Sequence, residues 1–415
     1  MTRSYRSPTP HLAGEFHALV ESQVEILTAM IQPNGAVLAS PNGGYKAHWV
    51  RDGLYVLAAA ACLGLSDLGH RLIRAPFSIF QKHRRKIQSG IQHRPGSNFE
   101  YLHARYHPTH FEEFEAEWGH NQLDMLGLFL YLVAHLPAKG IDVFQYGRQY
   151  EDRILLSHIT RYLETLEWWR CADYGVWEEG PKLNASSIGA VLAGLSGLKS
   201  LDDPDLYFNE RQLARGRDAL DRLLPAESEG RPCDLAQLSL IWPFGVLDEA
   251  QTSAVLDNVE TRLVRERGVI RYEGDGYFNA ADDRLVPIHD PRTGRELLDY
   301  GDQDRQAFPF TVVGLEAQWP LGLAWLSIVY SKRAKRRFAA GKDHGAEKAR
   351  AAGYLERLTA CALPVDGVTP GYFPELYVGE RPNINAPLTW TTAFAIVAAV
   401  VFAEIEDPGV RYSLL

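Results

Sequence analysis

The 415-residue sequence is poor in sulfur, with four cysteines and three methionines. Cys62, Cys171, Cys233 and Cys361 lie far apart and form no CxxC pair. That excludes a zinc knuckle or a dense disulfide framework, and buried, reduced thiols are expected. Long apolar runs are also missing. The longest, such as 393–402, falls short of the roughly 18 residues that a membrane-spanning helix needs. The basic N-terminal segment is not followed by the apolar stretch of a secretory signal. A cytoplasmic protein with no membrane partner is expected. Basic residues are in deficit: 43 Lys and Arg against 52 Asp and Glu leave a net charge of -9, the wrong sign for capturing nucleic acid. No phosphate loop of the GK-Ser/Thr type, no GxGxxG after a strand and no GxSxG occurs, so nucleotide-dependent chemistry and a serine hydrolase lose support. His103 and His107 stand four apart, but Pro108 follows at once and no HExxH accompanies them. The acidic pieces Asp282-Asp283 and Asp302-Gln303-Asp304 lack EF-hand spacing. No metal site and no cofactor is expected.

What is present is a globular composition, 46% hydrophobic and 23% charged, enough to bury a full core. Apolar residues recur at helical spacing over 13–31, 51–65, 74–91, 121–136, 150–169, 185–198, 209–223, 246–265, 321–338, 346–362 and 388–405. Eleven or twelve helices follow. Strand-like alternation is confined to short pieces such as Gly268–Tyr272. Most of the Gly, Pro, aromatic and paired acidic residues sit in long connections at 92–118, 171–184, 266–316 and 364–387. Loops of that length in a compact domain are usually functional. No linker or change of composition divides the chain, so residues 1–415 read as one all-α domain with a loop-built site on one face.

Two connections carry carboxylates among aromatics. Trp177-Glu178-Glu179-Gly180 sets two acids beside an indole, just before a helix that Asn184 or Ser186 would cap. Next to an aromatic face a carboxyl is poorly solvated when ionised, which suits a proton donor. Gly371-Tyr372-Phe373-Pro374-Glu375-Leu376-Tyr377 supplies another acid. Taken singly, each also reads as a solvated acidic turn. Paired, they meet the requirement of glycoside hydrolysis for one carboxylic acid and one carboxylate on opposite faces of a sugar. Tyr45-Lys46-Ala47-His48-Trp49-Val50-Arg51-Asp52 ends at a helix start and offers donors and acceptors for sugar hydroxyls. Trp118-Gly119-His120-Asn121-Gln122-Leu123-Asp124 repeats that pattern, and Arg271-Tyr272-Glu273-Gly274-Asp275-Gly276-Tyr277 reads equally as a binding loop or a tight hairpin.

The motifs HWVRD (48–52), WGHNQLD (118–124), WEEGPKLNASSIG (177–189), RYEGDGY (271–277), EAQWP (316–320), PELY (374–377) and LTW (388–390) together resemble family 15 of the glycoside hydrolases. That family includes glucoamylases and glucodextranases and is related to the N-terminal domains of the phosphorylase kinase α and β subunits. The wording is especially similar to the kinase-subunit branch, apart from Glu179, where that branch usually has Arg. The resemblance implies an (α/α)6 toroid with a pocket at one end and an inverting exo-acting α-glucosidase. Glu178 would be its general acid, Glu375 its general base, and Tyr45 would help hold the attacking water. Arg51, Asp52 and Arg271 would bind the terminal glucose; Trp49, Trp118, Trp177 and Trp319 would line the pocket; Glu179 would contact the next sugar. The expected partner is carbohydrate, an α-glucan or oligosaccharide. The other reading that the resemblance allows is a glucan-binding or regulatory protein without turnover.

Overall fold

Two kinds of helix alternate along the chain, one buried nearly all round and one buried along a single stripe. The computed structural model describes residues 16–42, 45–277, 314 and 316–405, with short strands at 288–289 and 296–297; the acidic pieces at 282–283 and 302–304 lie outside the described residues. The helices are α1 (His17–Met30), α2 (Val50–Cys62), α3 (Ser66–Lys82), α4 (Arg84–Gln92), α5 (Leu123–His135), α6 (Gln149–Leu166), α7 (Ala185–Ser200), α8 (Arg211–Leu223), α9 (Leu238–Ile241), α10 (Glu249–Arg262), α11 (Pro320–Ala339), α12 (Gly345–Ala360) and α13 (Thr389–Ala403).

Helix α2, VRDGLYVLAAAAC, is buried along its whole length, as is α13 from Thr389 to Val401. By contrast α8 buries only Gln212, Gly216, Ala219 and Leu220. Helices apolar on every side belong inside, and those with one stripe wrap them. The inner set packs in the order α2, α5, α7, α9, α11, α13 and back to α2, which closes a ring. Outside it, α3 packs on α2, α8 on α7, α12 on α11 and α1 on α13. The result is an (α/α)6 toroid. Strands among the described residues form five two-stranded antiparallel pairs. One pair matters to the site: β1 (His48–Trp49) sets Trp49 opposite Arg105 of β2 (Arg105–Tyr106). All four cysteines are free and buried, and no helix among the described residues is long and apolar enough to cross a membrane.

Some elements differ from the sequence expectation. The window 74–91 becomes two helices broken at His83, and the first begins at Ser66 and carries Pro76 inside it. Leu68, Leu72, Ile73 and Phe77 bury enough surface to offset the hydrogen bond that proline removes. The inner helix α9 is four residues long, too short to leave a periodic signal. Only Gly268–Val269 of the alternating piece forms a strand. Neither Asn184 nor Ser186 caps α7 with its side chain. The first amides of that helix point at Glu227, whose two oxygens accept from Ser186 N at 3.2 Å each.

Candidate active site

The inner helices begin at the same end of the ring. Trp49, Arg51 and Asp52 open α2; the 118–122 segment leads into α5, the Glu178 loop into α7, and Asp234 into the turn before α9; Trp319 and Leu388 stand at the N-caps of α11 and α13. Between these starts lies a cavity of ≈ 390 Å³. All eleven residues singled out from the sequence line it: Tyr45, Trp49, Arg51, Asp52, Trp118, Trp177, Glu178, Glu179, Arg271, Trp319 and Glu375. Helix N-termini carry partial positive charge, which favours the acidic lining.

The Glu178 loop is fastened from below by Asp173, which is wholly buried. Its Oδ2 accepts from the amides of Leu123 (3.0 Å) and Gly175 (3.2 Å) and from Ser187 Oγ (2.7 Å), while Oδ1 accepts from Asn184 Nδ2 (2.9 Å). One carboxylate thereby joins the starts of α5 and α7 to the loop between them. Tight turning at the top puts Glu178 in the left-handed region, φ 61°. Its Oε2 accepts from Trp118 Nε1 at 2.7 Å and Trp49 Nε1 at 3.3 Å, and its Oε1 from Arg51 Nη2 at 3.0 Å. A carboxyl group offers about four lone-pair positions, so Oε1 retains one on which a proton can sit.

Arg51 also donates through Nη1 to Gln122 (2.9 Å) and Asp124 (3.0 Å). Its neighbour Asp52 is 6% exposed and accepts from its own backbone N–H and from no other described residue. Burial pushes Asp52 up to about 7, against the pull of Arg51, with Glu178 adding to the rise. Near neutrality such a group can both accept from and donate to a sugar hydroxyl. Glu179 is of another kind. Arg271 and Arg231 both donate to it at 2.9 Å and Tyr272 Oη at 2.7 Å. Burial opposes its charge, but the two guanidinium groups prevail and hold it down at about 2. Arg271 is fixed in turn by Asp275, at 2.6 and 2.7 Å.

Glu375 enters from the opposite wall, on the loop before α13, and is 1% exposed. Oε1 accepts from Tyr45 Oη (2.6 Å) and Tyr277 Oη (3.3 Å), and Oε2 from the amides of Asn383 (2.6 Å) and Asn385 (2.7 Å). The aromatic floor is continuous: Trp177 lies 5.6 Å from Trp319 and 6.2 Å from Trp390, ring centre to ring centre. Sequence reasoning assigned no role to Tyr277, Trp390, Arg231, Asn383 or Asn385. The last two carried a signal, since two asparagines one residue apart in an extended segment face the same side.

The family model described as Glycosyl hydrolases family 15 matches residues 16–328. A probable phosphorylase b kinase regulatory subunit alpha from Caenorhabditis elegans is 30% identical over 293 residues, covering 66% of this chain and 21% of that protein. Its counterpart from Drosophila melanogaster is 24% identical over 72% of this chain and 25% of its own length. The chain thus spans a fifth to a quarter of these relatives. Among solved structures, a wild-type glycosidase superposes with a TM-score of 0.68 at 18% identity, covering 93% of this chain and 96% of that one. A bacterial glucoamylase complexed with acarbose gives 0.63 at 16%, covering 95% and 57%. These structural likenesses carry the fold.

Proposed function

The chain belongs to the glycosyl hydrolases family 15, and on that premise we propose that it is an inverting, exo-acting α-glucosidase releasing β-glucose from an α-glucan or α-gluco-oligosaccharide. The observation that carries this reading is the pair of carboxyl groups, Glu178 and Glu375, lining one tryptophan-floored cavity from separate loops. In this mechanism Glu178 delivers its proton to the glycosidic oxygen as the bond to the anomeric carbon breaks. Glu375 takes a proton from a water that attacks the opposite face, and the oxocarbenium-like transition state collapses to the β-anomer. Tyr45 Oη, already bonded to Glu375, is placed to steady that water. Asp52 and Arg271 serve the hydroxyls of the terminal glucose. With three of its five N–H donors on Gln122, Asp124 and Glu178, Arg51 orients the acid as much as the sugar. Glu179, held by three donors, shapes the wall toward the next sugar.

The test is the first anomer formed. Pure protein incubated with maltose, isomaltose, trehalose, kojibiose, nigerose or soluble starch should yield β-glucose before mutarotation, followed by proton NMR. On soluble starch, where the glucose freed is the one whose anomeric carbon reacts, initial α-glucose would overturn inversion. The kinase regulatory subunits among the relatives favour a second reading, in which the cavity binds a glucan without cleaving it. Saturable binding of these sugars with no glucose released would select it.

A further inference from the structure

Behind the indoles that hold Glu178 lies a guanidinium group in an aromatic cage. The β1–β2 pairing sets Arg105 opposite Trp49. From there its Cζ lies 3.7 Å from the centre of the Trp118 ring, 5.1 Å from that of Phe114 and 5.5 Å from that of Trp49. Its Nε is buried without a hydrogen-bond partner among the described residues. Burial in the cage lowers its proton affinity, and Glu178 and Tyr45 raise it, but an arginine stays charged in a protein. We propose that Arg105 is a positioning residue that weakens the hold of Glu178 on its proton, acting through Trp118. This rests on the reading of Glu178 as the acid.

A cation over an indole face draws on the ring's π density. The polarised ring makes Nε1–H a stronger donor, and a stronger donor to Oε2 stabilises the ionised carboxyl. Both indoles that donate to Glu178 lie under this one cation. The other charges around the acid are Arg51 against Oε1, Asp124 beyond Arg51, Asp52 and Glu375 in the cavity, and the neighbouring Glu179 with Arg271 and Arg231 against it. On the far side of Arg105, burial keeps His103 down at about 2 and His120 at about 3, so both are neutral at ordinary pH, with Lys86 beyond them. A general acid works best when its proton is neither too firmly nor too loosely held at the working pH. The caged cation keeps the hold loose.

The full chain is to be labelled at its glutamate carboxyl carbons and tryptophan indoles, with Glu178→Gln assigning the acid. In Arg105→Met the Trp118 indole proton should move upfield and the Glu178 carbon should titrate higher by about 0.5 pH unit or more. Arg105→Lys, which keeps the charge, should move both less than half as far. The alkaline limb of kcat/KM should follow to higher pH, because the acid stays protonated longer. Unmoved indole and carboxyl signals in a folded Arg105→Met overturn the proposal, and so do equal shifts in the Met and Lys variants. If the Met variant does not fold, Arg105→Gln gives the same comparison. Wild-type protein that binds sugar but releases no glucose would remove the acid's role, and the two NMR signals would still decide whether Arg105 acts on Glu178.

Discussion

Glu178 combines two demands on a single residue. In the proposed mechanism its carboxyl must meet the sugar, and the turn beneath it forces a backbone that side chains with a Cβ adopt at a cost. The two can be separated by substitution. Glu178→Gln should abolish turnover on unactivated glucosides and leave the melting temperature near that of wild type. Glu178→Gly should lose turnover equally and relieve the backbone, but it strands Arg51 and two indole N–H groups, each unmet donor costing about 1–3 kcal/mol, readable as a lower urea midpoint. Asp52 makes a different prediction. The folded protein holds its proton up to about 7, while an unfolded chain releases it near 3.9. Its contribution is therefore full below pH 4 and shrinks as pH climbs toward 7. Urea midpoints of Asp52→Asn should not show that share of the decline; identical pH profiles for the two proteins would contradict the assignment. The acids and tryptophans were legible because they sit in short motifs with neighbours of matching chemistry. Arg231 was not, because the Glu179 it holds lies 52 residues away in sequence; Asn383 and Asn385 offered only their alternation, because the turn that folds them back on Glu375 leaves no motif.

At the level of elements, hydrophobic spacing located most helices to within a few residues, since a stripe of apolar side chains repeats with the period of the element that buries it. It cannot reveal how near two helices come. α5 and α7 meet backbone to backbone: a Cβ on Gly127 would lie 2.4 Å from the Ala190 carbonyl carbon, and one on Gly194 2.5 Å from the Gly127 oxygen. Overpacking of this kind costs about 1–3 kcal/mol. Gly127→Ala should lower the thermal midpoint and, since both helices begin at the cavity, impair turnover with it. Gly353 in α12 is the control. No atom lies within 4 Å of a Cβ there, so Gly353→Ala should be neutral or stabilise by up to about 1 kcal/mol.

For the whole molecule, closure is the dominant fact. α13 fits between α11 and α2 and also carries α1 on its outer face, so the last helix among the described residues joins the wall to its own beginning. Glu375 lies on the loop just ahead of it. A ribosome delivers these parts in sequence: five inner helices, the acid Glu178 and most of the tryptophans emerge while the ring still gapes, and the second carboxyl group and the closing helix come last. A nascent chain would hold one carboxyl group with no second one opposite and a cavity with one wall missing. Sealing the barrel and completing the carboxylate pair then fall in the same moment of synthesis, and an unfinished chain has neither.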